Sequence, residues 1–326
     1  MKKQFKTIVT GNIPKEWTIK LAEISEVMIW SGKPQFLMPR NQLIELLPEA
    51  DAIINFAEVK ADTELLEQAQ NLKIIANISI GHDNLSLDEI TQRGIWASNS
   101  PGFFNYPVAE YIFAGMFSVA RSFGAADRFV RRGEWSTFEP GRWDGRSLRE
   151  LSIGIIGMGA IGKELATLTR NIGMQVMYYD AFNKSEKGFT ELDEMLAKSD
   201  FVSINVPLTN ETRKMVNQNF IDKMKDGAIF INTSRGTMVE QDLLINALQS
   251  GKLGGAILDV YEFEPEVPEV LKVMDNVFLS PHIAGGTKTA RRLCVENAVL
   301  NVYNALSGNK PQNALNNINQ FAEQLQ

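Results

Sequence analysis

The chain has 326 residues, enough for about two domains that each bury a core. Its 44% hydrophobic and 22% charged residues are the balance of a soluble globular protein. A net charge of −6, from 33 Lys+Arg against 39 Asp+Glu, supplies no basic field and argues against nucleic acid or anionic membrane as partners.

The single cysteine, Cys294, cannot close an internal disulfide and reads as core filler in a reducing compartment. The opening MKKQFKTIVTG lacks an apolar h-region and reads as a first strand rather than a signal peptide. The longest apolar run, Tyr111 to Ala120, is about half the length of a bilayer span. A cytoplasmic protein is expected, with no metal ligand set.

From residue 6 to about residue 97, short apolar runs alternate with helix-like segments: Thr7 to Val9, Val27 to Trp30, Ala52 to Phe56, Ile74 to Ala76 and Ile95 to Ala97. Continuous β-rich runs separated by helices predict a parallel sheet covered on both faces. Asn77 to Asn84 (NISIGHDN) is the most pointed loop of this part, at a strand end where open α/β sheets place ligands. Its Ser and Gly can present backbone N–H groups to a carboxylate, although an ordinary strand-to-helix turn explains the residues equally well.

Asn99-Ser100-Pro101-Gly102 is a turn cluster and a candidate hinge. Pro107 to Glu110 opens a helix, and Tyr111 to Ala120 continues it with apolar residues nearly all round. Such a helix is expected to be buried on all sides. A homodimer interface through the 107–122 helix region is the favoured reading over plain core. Arg131 to Arg146 is polar and reads as a connecting loop.

Leu151 to Asp180 has the order strand, glycine turn, helix, strand, acid that binds a dinucleotide. Gly157 permits the tight turn, Gly159 lets backbone approach a pyrophosphate, and Gly162 lets the helix pack close on the strand. The helix N-terminus then offers N–H groups to the anion. Asp180, 18 residues beyond Gly162, can accept from the adenosine ribose hydroxyls and would repel a 2′-phosphate, so NAD (NADH) is expected and NADP is disfavoured. Further strands are predicted near Phe201 to Asn205, Ala228 to Asn232, Ala256 to Leu258 and Val277 to Leu279. A helix is predicted from Gln241 to Gln249, stopped by Gly251, and another from Lys288 to Leu306.

Three residues near strand ends can carry a reaction. Arg235, after the run Ala228 to Ile231, can grip a carboxylate bidentately. Glu264 follows 29 residues later, and His282 stands in Ser280-Pro281-His282-Ile283. Taken singly, the arginine reads as a surface residue and the histidine as a structural one.

Together with the glycine fingerprint they resemble the D-isomer-specific 2-hydroxyacid dehydrogenases over nearly the whole chain. The motifs are the NxxxGxDN-like segment Asn77 to Asn84, SPG…VAE at Ser100 to Glu110 and GIIGMGAIG at Gly154 to Gly162. They continue with VPLTNETRKMVN at Val206 to Asn217, INTSRG at Ile231 to Gly236, LDVYEFEP at Leu258 to Pro265 and SPHIAGG at Ser280 to Gly286.

The resemblance implies an α/β fold of two doubly wound parallel-sheet domains, Rossmann- or flavodoxin-like, with a cleft between them. Residues 1–100 plus 286–326 would form a discontinuous substrate (catalytic) domain, and 101–285 the NAD-binding domain. It implies that Arg235 orients a 2-keto acid, that His282 is the acid/base at C2, and that Glu264 raises the His282 pKa through the other imidazole nitrogen. Ser79, Ile80 and Gly81 would hold the substrate carboxylate. Gly157, Gly159, Ala160, Ile161, Gly162, Asp180, Pro207, Thr212, Thr233 and Asp259 would contact the cofactor.

Glyoxylate and hydroxypyruvate are the leading substrates on this reading, ahead of D-lactate-type chemistry. Phosphoglycerate is disfavoured because the loop Asn55-Phe56-Ala57-Glu58 lacks the usual arginine. Formate chemistry is disfavoured because glutamate rather than glutamine accompanies the histidine. The alternative of another class is a non-catalytic NAD(H)-sensing regulator on the same fold. Phe103-Phe104-Asn105-Tyr106 is unusually aromatic for this family and is expected either to narrow the pocket or to pack under the apolar helix.

Overall fold

A computed structural model describes residues 4–32, 36–56 and 59–318. They fall into two compact units, one made of the described residues up to 104 together with those from 287 on, the other of residues 105–286. Ala57 and Glu58, half of the loop set against phosphoglycerate, lie outside the described residues.

The first unit is built on strands β1 (Phe5–Val9), β2 (Ser25–Ile29), β3 (Ala52–Asn55), β4 (Ile74–Asn77) and β5 (Trp96–Ser98). All pair in parallel, in the order β2-β1-β3-β4-β5. The two central runs, AIIN and IIAN, are buried throughout, as strands covered on both faces must be. Their period of two sorts side chains between two cores. Ile53 and Ile75 join Leu43, Leu65, Leu66 and Ile90 from helices α1 (Arg40–Leu46), α2 (Thr63–Gln68) and α3 (Leu87–Gln92). Ile54, Ile74 and Ala76 join Cys294, Val295, Ala298 and Val302 of the C-terminal helix Lys288–Leu306. That helix starts on Thr287, whose side chain accepts from Ala290 N–H. Burial pushes the Cys294 thiol up to about 12, so it is an inert apolar filler. Phe103 and Phe104 pack against this second core.

The second unit opens with helices α4 (Asn105–Ala120) and α5 (Phe123–Arg131). It continues through β6 (Ser152–Ile156), α6 (Ala160–Asn171), β7 (Gln175–Tyr179), α7 (Leu192–Lys198), β8 (Phe201–Ile204), α8 (Gln218–Lys223), β9 (Ala228–Asn232), α9 (Gln241–Ser250), β10 (Leu253–Leu258), α10 (Glu269–Lys272) and β11 (Val277–Leu279). The parallel sheet runs β11-β10-β9-β8-β6-β7. Beyond β7, Phe189 adds one further parallel bridge to Tyr178, with Tyr178 N–H donating to Gly188 O and Thr190 N–H to Tyr178 O. Counting that bridge as a remnant strand restores the 3-2-1-4-5-6 order of dinucleotide-binding sheets, extended by one strand at the far edge. The sequence conceals it because one bridged residue between polar neighbours has no periodicity.

Two expectations change. β10 begins three residues before the apolar run Ala256 to Leu258, because the glycines ahead of it pair through an irregularity in register with β9. Helix α4 is not buried on all sides of the chain. One face, with Ala109, Ile112 and Met116, is buried, while Tyr111, Phe113, Phe117 and Val119 stay half-exposed and Ala114 is exposed. Gly115 sits where a Cβ would approach Ile257 to 2.9 Å, so only that face is pressed on the sheet.

At the opposite ends of these strands, Asp200 fastens β6 to β8. Only 7% of its side chain is exposed. It accepts from Ser152 N and Oγ at 2.9 Å each, from Arg146 at 2.9 Å and from Lys225 at 2.8 Å. Burial opposes its ionisation, but Lys225, Ser152 and Arg146 together hold the carboxyl far below the usual range. A depressed carboxyl pKa gives stability that is present above the unfolded value and lost as pH falls through the folded one. Asp200→Asn is predicted to lower unfolding stability by about 2 kcal/mol at neutral pH. In urea titrations the gap to wild type should narrow below about pH 4; a constant gap would mean the charge contributes nothing.

Candidate active site

In the second unit the expected functional residues fall at the carboxyl ends of consecutive parallel strands. Gly157 follows β6, Asp180 follows β7, Pro207 follows β8, Thr233 and Arg235 follow β9, Asp259 follows β10 and His282 follows β11. One edge of one sheet therefore gathers residues spread over more than a hundred positions, at the side where such sheets bind ligands.

The glycine turn is shaped by contacts a side chain would break. Gly157 has φ +93°, and a Cβ there would lie 2.6 Å from Asn205 O. A Cβ on Gly162 would lie 2.1 Å from Gly157 O, so α6 can rest on the turn only through glycine. Gly159 differs. Beyond its chain neighbours, no atom of the described residues stands within 4 Å of its Cβ position, so packing does not require glycine there. The open space leaves room for a phosphate to approach the backbone. Gly159 and Ala160 are exposed at the start of α6 and Ile161 is half-buried, placing the helix N-terminus at the surface where it can meet an anion.

Asp180 is already engaged. One oxygen accepts from Met158 N–H at 2.8 Å, and the other from Phe182 and Asn183 N–H, both at 2.9 Å. Burial works against its charge, but these three bonds hold its pKa below the ordinary value. A carboxylate has about four acceptor sites, so Asp180 keeps capacity for a hydroxyl while fixing the glycine turn. After β8, Thr212 Oγ1 donates to Pro207 O at 2.8 Å and accepts from Thr209 N–H at 2.7 Å, closing the loop that carries both.

His282 and Glu264 meet. Nδ1 lies 2.8 Å from Glu264 Oε2, with the side chains 44% and 33% exposed. Glu264 Oε1 accepts from Tyr261 N–H at 3.0 Å, so one oxygen is tied to backbone and the other to the imidazole. A carboxylate there keeps the proton on Nδ1 and leaves Nε2 for chemistry. The Glu264 hydrogen bond raises the His282 pKa above 6.5, with the Glu264 charge adding to it and desolvation and Arg235 opposing. Burial disfavours the Glu264 charge, yet His282, Tyr261 N–H and Arg235 carry its pKa below the usual range.

The turn that holds His282 has the histidine at φ +54°, a conformation that costs about 1 to 2 kcal/mol for a residue with a Cβ. Asp259, fully buried, sustains it. Its carboxylate accepts from Ser280 Oγ at 2.6 Å, Ile283 N–H at 2.8 Å and Ala284 N–H at 2.7 Å, and its carbonyl accepts from His282 N–H at 2.8 Å. The Arg235 turn is formed by Asn232, which accepts from Ser234 N–H at 3.0 Å and donates to Arg235 O at 2.9 Å. A Cβ on Gly236 would fall 1.9 Å from the Tyr261 backbone, so this turn packs on the segment that bears Glu264. These supports were missed in the sequence, though an Asn closing β9 and an Asp just beyond β10 are the signals that could have shown them.

In the first unit, Ser79, Ile80 and Gly81 follow β4 and are each half-buried. Among the described residues none of their N–H groups donates to a protein acceptor, while Gly81 O accepts from Ser79 Oγ at 2.8 Å.

Residues 113–284 match the model of the D-isomer specific 2-hydroxyacid dehydrogenase, NAD binding domain. The chain is 38% identical to a glyoxylate reductase of Thermococcus litoralis, over 95% of this chain and 96% of that one. Among solved structures it resembles D-lactate dehydrogenase from Aquifex aeolicus complexed with NAD and lactic acid (31% identity, TM-score 0.80, 93% and 96% of the two chains covered). It also resembles an NADPH-dependent glyoxylate/hydroxypyruvate reductase from Sinorhizobium meliloti in complex with NADP and malonate (26%, TM-score 0.82, 96% and 97% covered). The chain belongs to the D-isomer-specific 2-hydroxyacid dehydrogenases. It is an oxidoreductase of that class with a nicotinamide-dinucleotide-binding unit. Among the described residues no helix is long and apolar enough to cross a membrane.

Proposed function

We propose that the protein is an NADH-dependent reductase of small 2-keto acids, with glyoxylate or hydroxypyruvate as substrate and the D-2-hydroxy acid as product where C2 becomes chiral. The observation that carries this reading is the Glu264–His282 pair, because a regulator that only sensed NAD(H) has no use for a carboxylate that favours the charged imidazole. The glyoxylate reductase relative supports the substrate, and the D-lactate dehydrogenase neighbour supports pyruvate as the runner-up.

The nicotinamide supplies the hydride. The chain's residues do the rest. Arg235 orients the keto acid through its carboxylate and C2 oxygen. His282 delivers a proton from Nε2 to that oxygen in reduction and removes it in oxidation. Glu264 stabilises the imidazolium. Ser79, Ile80 and Gly81 give N–H groups to the carboxylate. Gly157 to Gly162 receive the pyrophosphate, Asp180 the ribose, and Pro207, Thr212 and Thr233 line the rest of the cofactor path, while the enclosed Asp259 acts through the turn it holds. On this assignment residues 105–286 hold the dinucleotide and the other unit serves the substrate. The half-exposed apolar face of α4, with Phe113 and Phe117 edge to face at 5.2 Å, supports a homodimer through this helix, and the single buried thiol supports a cytoplasmic protein.

Purified protein with NADH should consume glyoxylate and hydroxypyruvate faster than pyruvate, read as loss of reduced-cofactor absorbance. NADH binding without turnover of any keto acid would favour the regulator. NADPH should give kcat/KM at least tenfold lower than NADH, and Asp180→Asn, which keeps an acceptor for the turn, should narrow that ratio; a wild-type preference for NADPH would contradict the role of Asp180.

Reduction needs His282 protonated, so activity falls as pH rises through its pKa. Because Glu264 raises that pKa, Glu264→Gln should move the falling limb of the reduction profile to lower pH. An unmoved limb would mean that Glu264 does not set the imidazole charge.

A further inference from the structure

Each carbonyl of the Ser79-Ile80-Gly81 loop is fixed by a donor within its own unit. Ser100 N–H donates to Ser79 O at 2.9 Å. Asn99 Nδ2 donates to Ile80 O at 2.7 Å. Asn77 Nδ2, at 3.3 Å, joins Ser79 Oγ on Gly81 O. In a trans peptide the C=O and the following N–H point in opposite directions across one rigid plane. Fixing Ser79 O therefore sets the direction of Ile80 N–H, and fixing Ile80 O sets that of Gly81 N–H. These N–H groups have no acceptor among the described residues.

The donors to Ser79 O and Ile80 O come from adjacent residues. Asn99 and Ser100 follow β5 directly, and the C-terminal helix holds them in turn. Asn297 Nδ2 donates to Asn99 O at 3.3 Å and to Ser100 Oγ at 3.1 Å, and Ser100 Oγ donates to Asn77 O at 3.1 Å. From below, Asn77 is itself locked. Its Oδ1 accepts from Asn55 Nδ2 at 3.1 Å, across the β3–β4 register, and its Nδ2 donates to Asn84 Oδ1 at 2.8 Å. An amide chain that is buried at Asn55 and Asn77, half-buried at Asn84, Asn99 and Asn297, and matched in donors and acceptors is rigid.

We propose that Asn99 is a positioning residue for substrate. Its amide orients the Ile80–Gly81 peptide so that Gly81 N–H is presented to the carboxylate of the 2-keto acid, and preorganisation of this kind lowers the free energy lost on binding. The inference rests on reading this loop as the carboxylate grip. Asn99 touches neither substrate nor cofactor in this role, so it acts on KM rather than on the proton or hydride step.

The test is steady-state kinetics with glyoxylate on the full-length protein, beside NADH affinity by fluorescence titration and thermal unfolding. Asn99→Ala should raise KM at least fivefold with kcat changed less than threefold and NADH affinity unchanged. Asn99→Asp, isosteric but unable to donate, should raise KM further, and it carries the test should the alanine variant not fold. Asn99→Gln, which keeps an amide donor, should recover part of the loss. Gly81→Pro, which deletes the N–H itself, separates the two claims. If Gly81→Pro raises KM and the Asn99 variants stay within twofold of wild type, the positioning role is overturned and the carboxylate grip stands. If folded Gly81→Pro that still binds NADH also keeps the wild-type KM, the grip is overturned together with the role of Asn99. Equal losses in KM, kcat and NADH affinity would show a general structural effect and overturn it as well.

Discussion

The arrangement at the second unit's sheet depends on a buried carboxylate holding a strained turn. Asp259 is fully enclosed, and a carboxyl group so placed is tolerated only when donors surround it. Its three donors come from Ser280, Ile283 and Ala284, so the energy that keeps Asp259 in the core is the same energy that closes the turn. His282 lies inside that turn with a left-handed backbone, and its Nδ1 is thereby delivered to Glu264. The imidazole does not find its partner by side-chain flexibility. The backbone puts it there.

Sheet geometry brings the rest. Parallel strands start at one edge and end at the other, so each βα connection leaves its turn residues on the same side. The glycine turn, Asp180, the Thr212 loop, Arg235, Asp259 and His282 are neighbours for that reason alone. The opposite edge is closed by Asp200 with Arg146, Lys225 and Ser152, which ties strand starts together and leaves the carboxyl edge free to carry function. The first unit repeats the theme with uncharged groups: asparagines at the ends of β3 and β4, joined side by side, support the loop that follows.

Much of this was legible in the sequence. The runs Ala228 to Asn232 and Val277 to Leu279, and the helix Lys288 to Leu306, coincide with observed elements, because continuous apolar runs and a long stretch without glycine or proline are local signals. The pairing of Glu264 with His282 came from family resemblance and is present as a 2.8 Å contact. What was hidden is non-local. The Phe189 bridge is one residue long, the Asp259 acceptor role depends on a turn more than twenty positions away, and the hold of Asn99 on Ile80 follows from strand order rather than spacing. The apolar helix misled for a physical reason: composition tells how much apolar surface a helix has, but not how much of it the same chain covers.

The proposed proton transfer turns on Glu264 keeping His282 charged to higher pH than a free imidazole. The chain has only two histidines, His82 and His282, so their imidazole signals can be followed separately by NMR across a pH titration, with assignment from His82→Gln. His282 should titrate above the ordinary value near 6.5, and Glu264→Gln should lower its pKa. A His282 that titrates at or below that value in the wild type, or one that Glu264→Gln leaves unmoved, would contradict this role for Glu264.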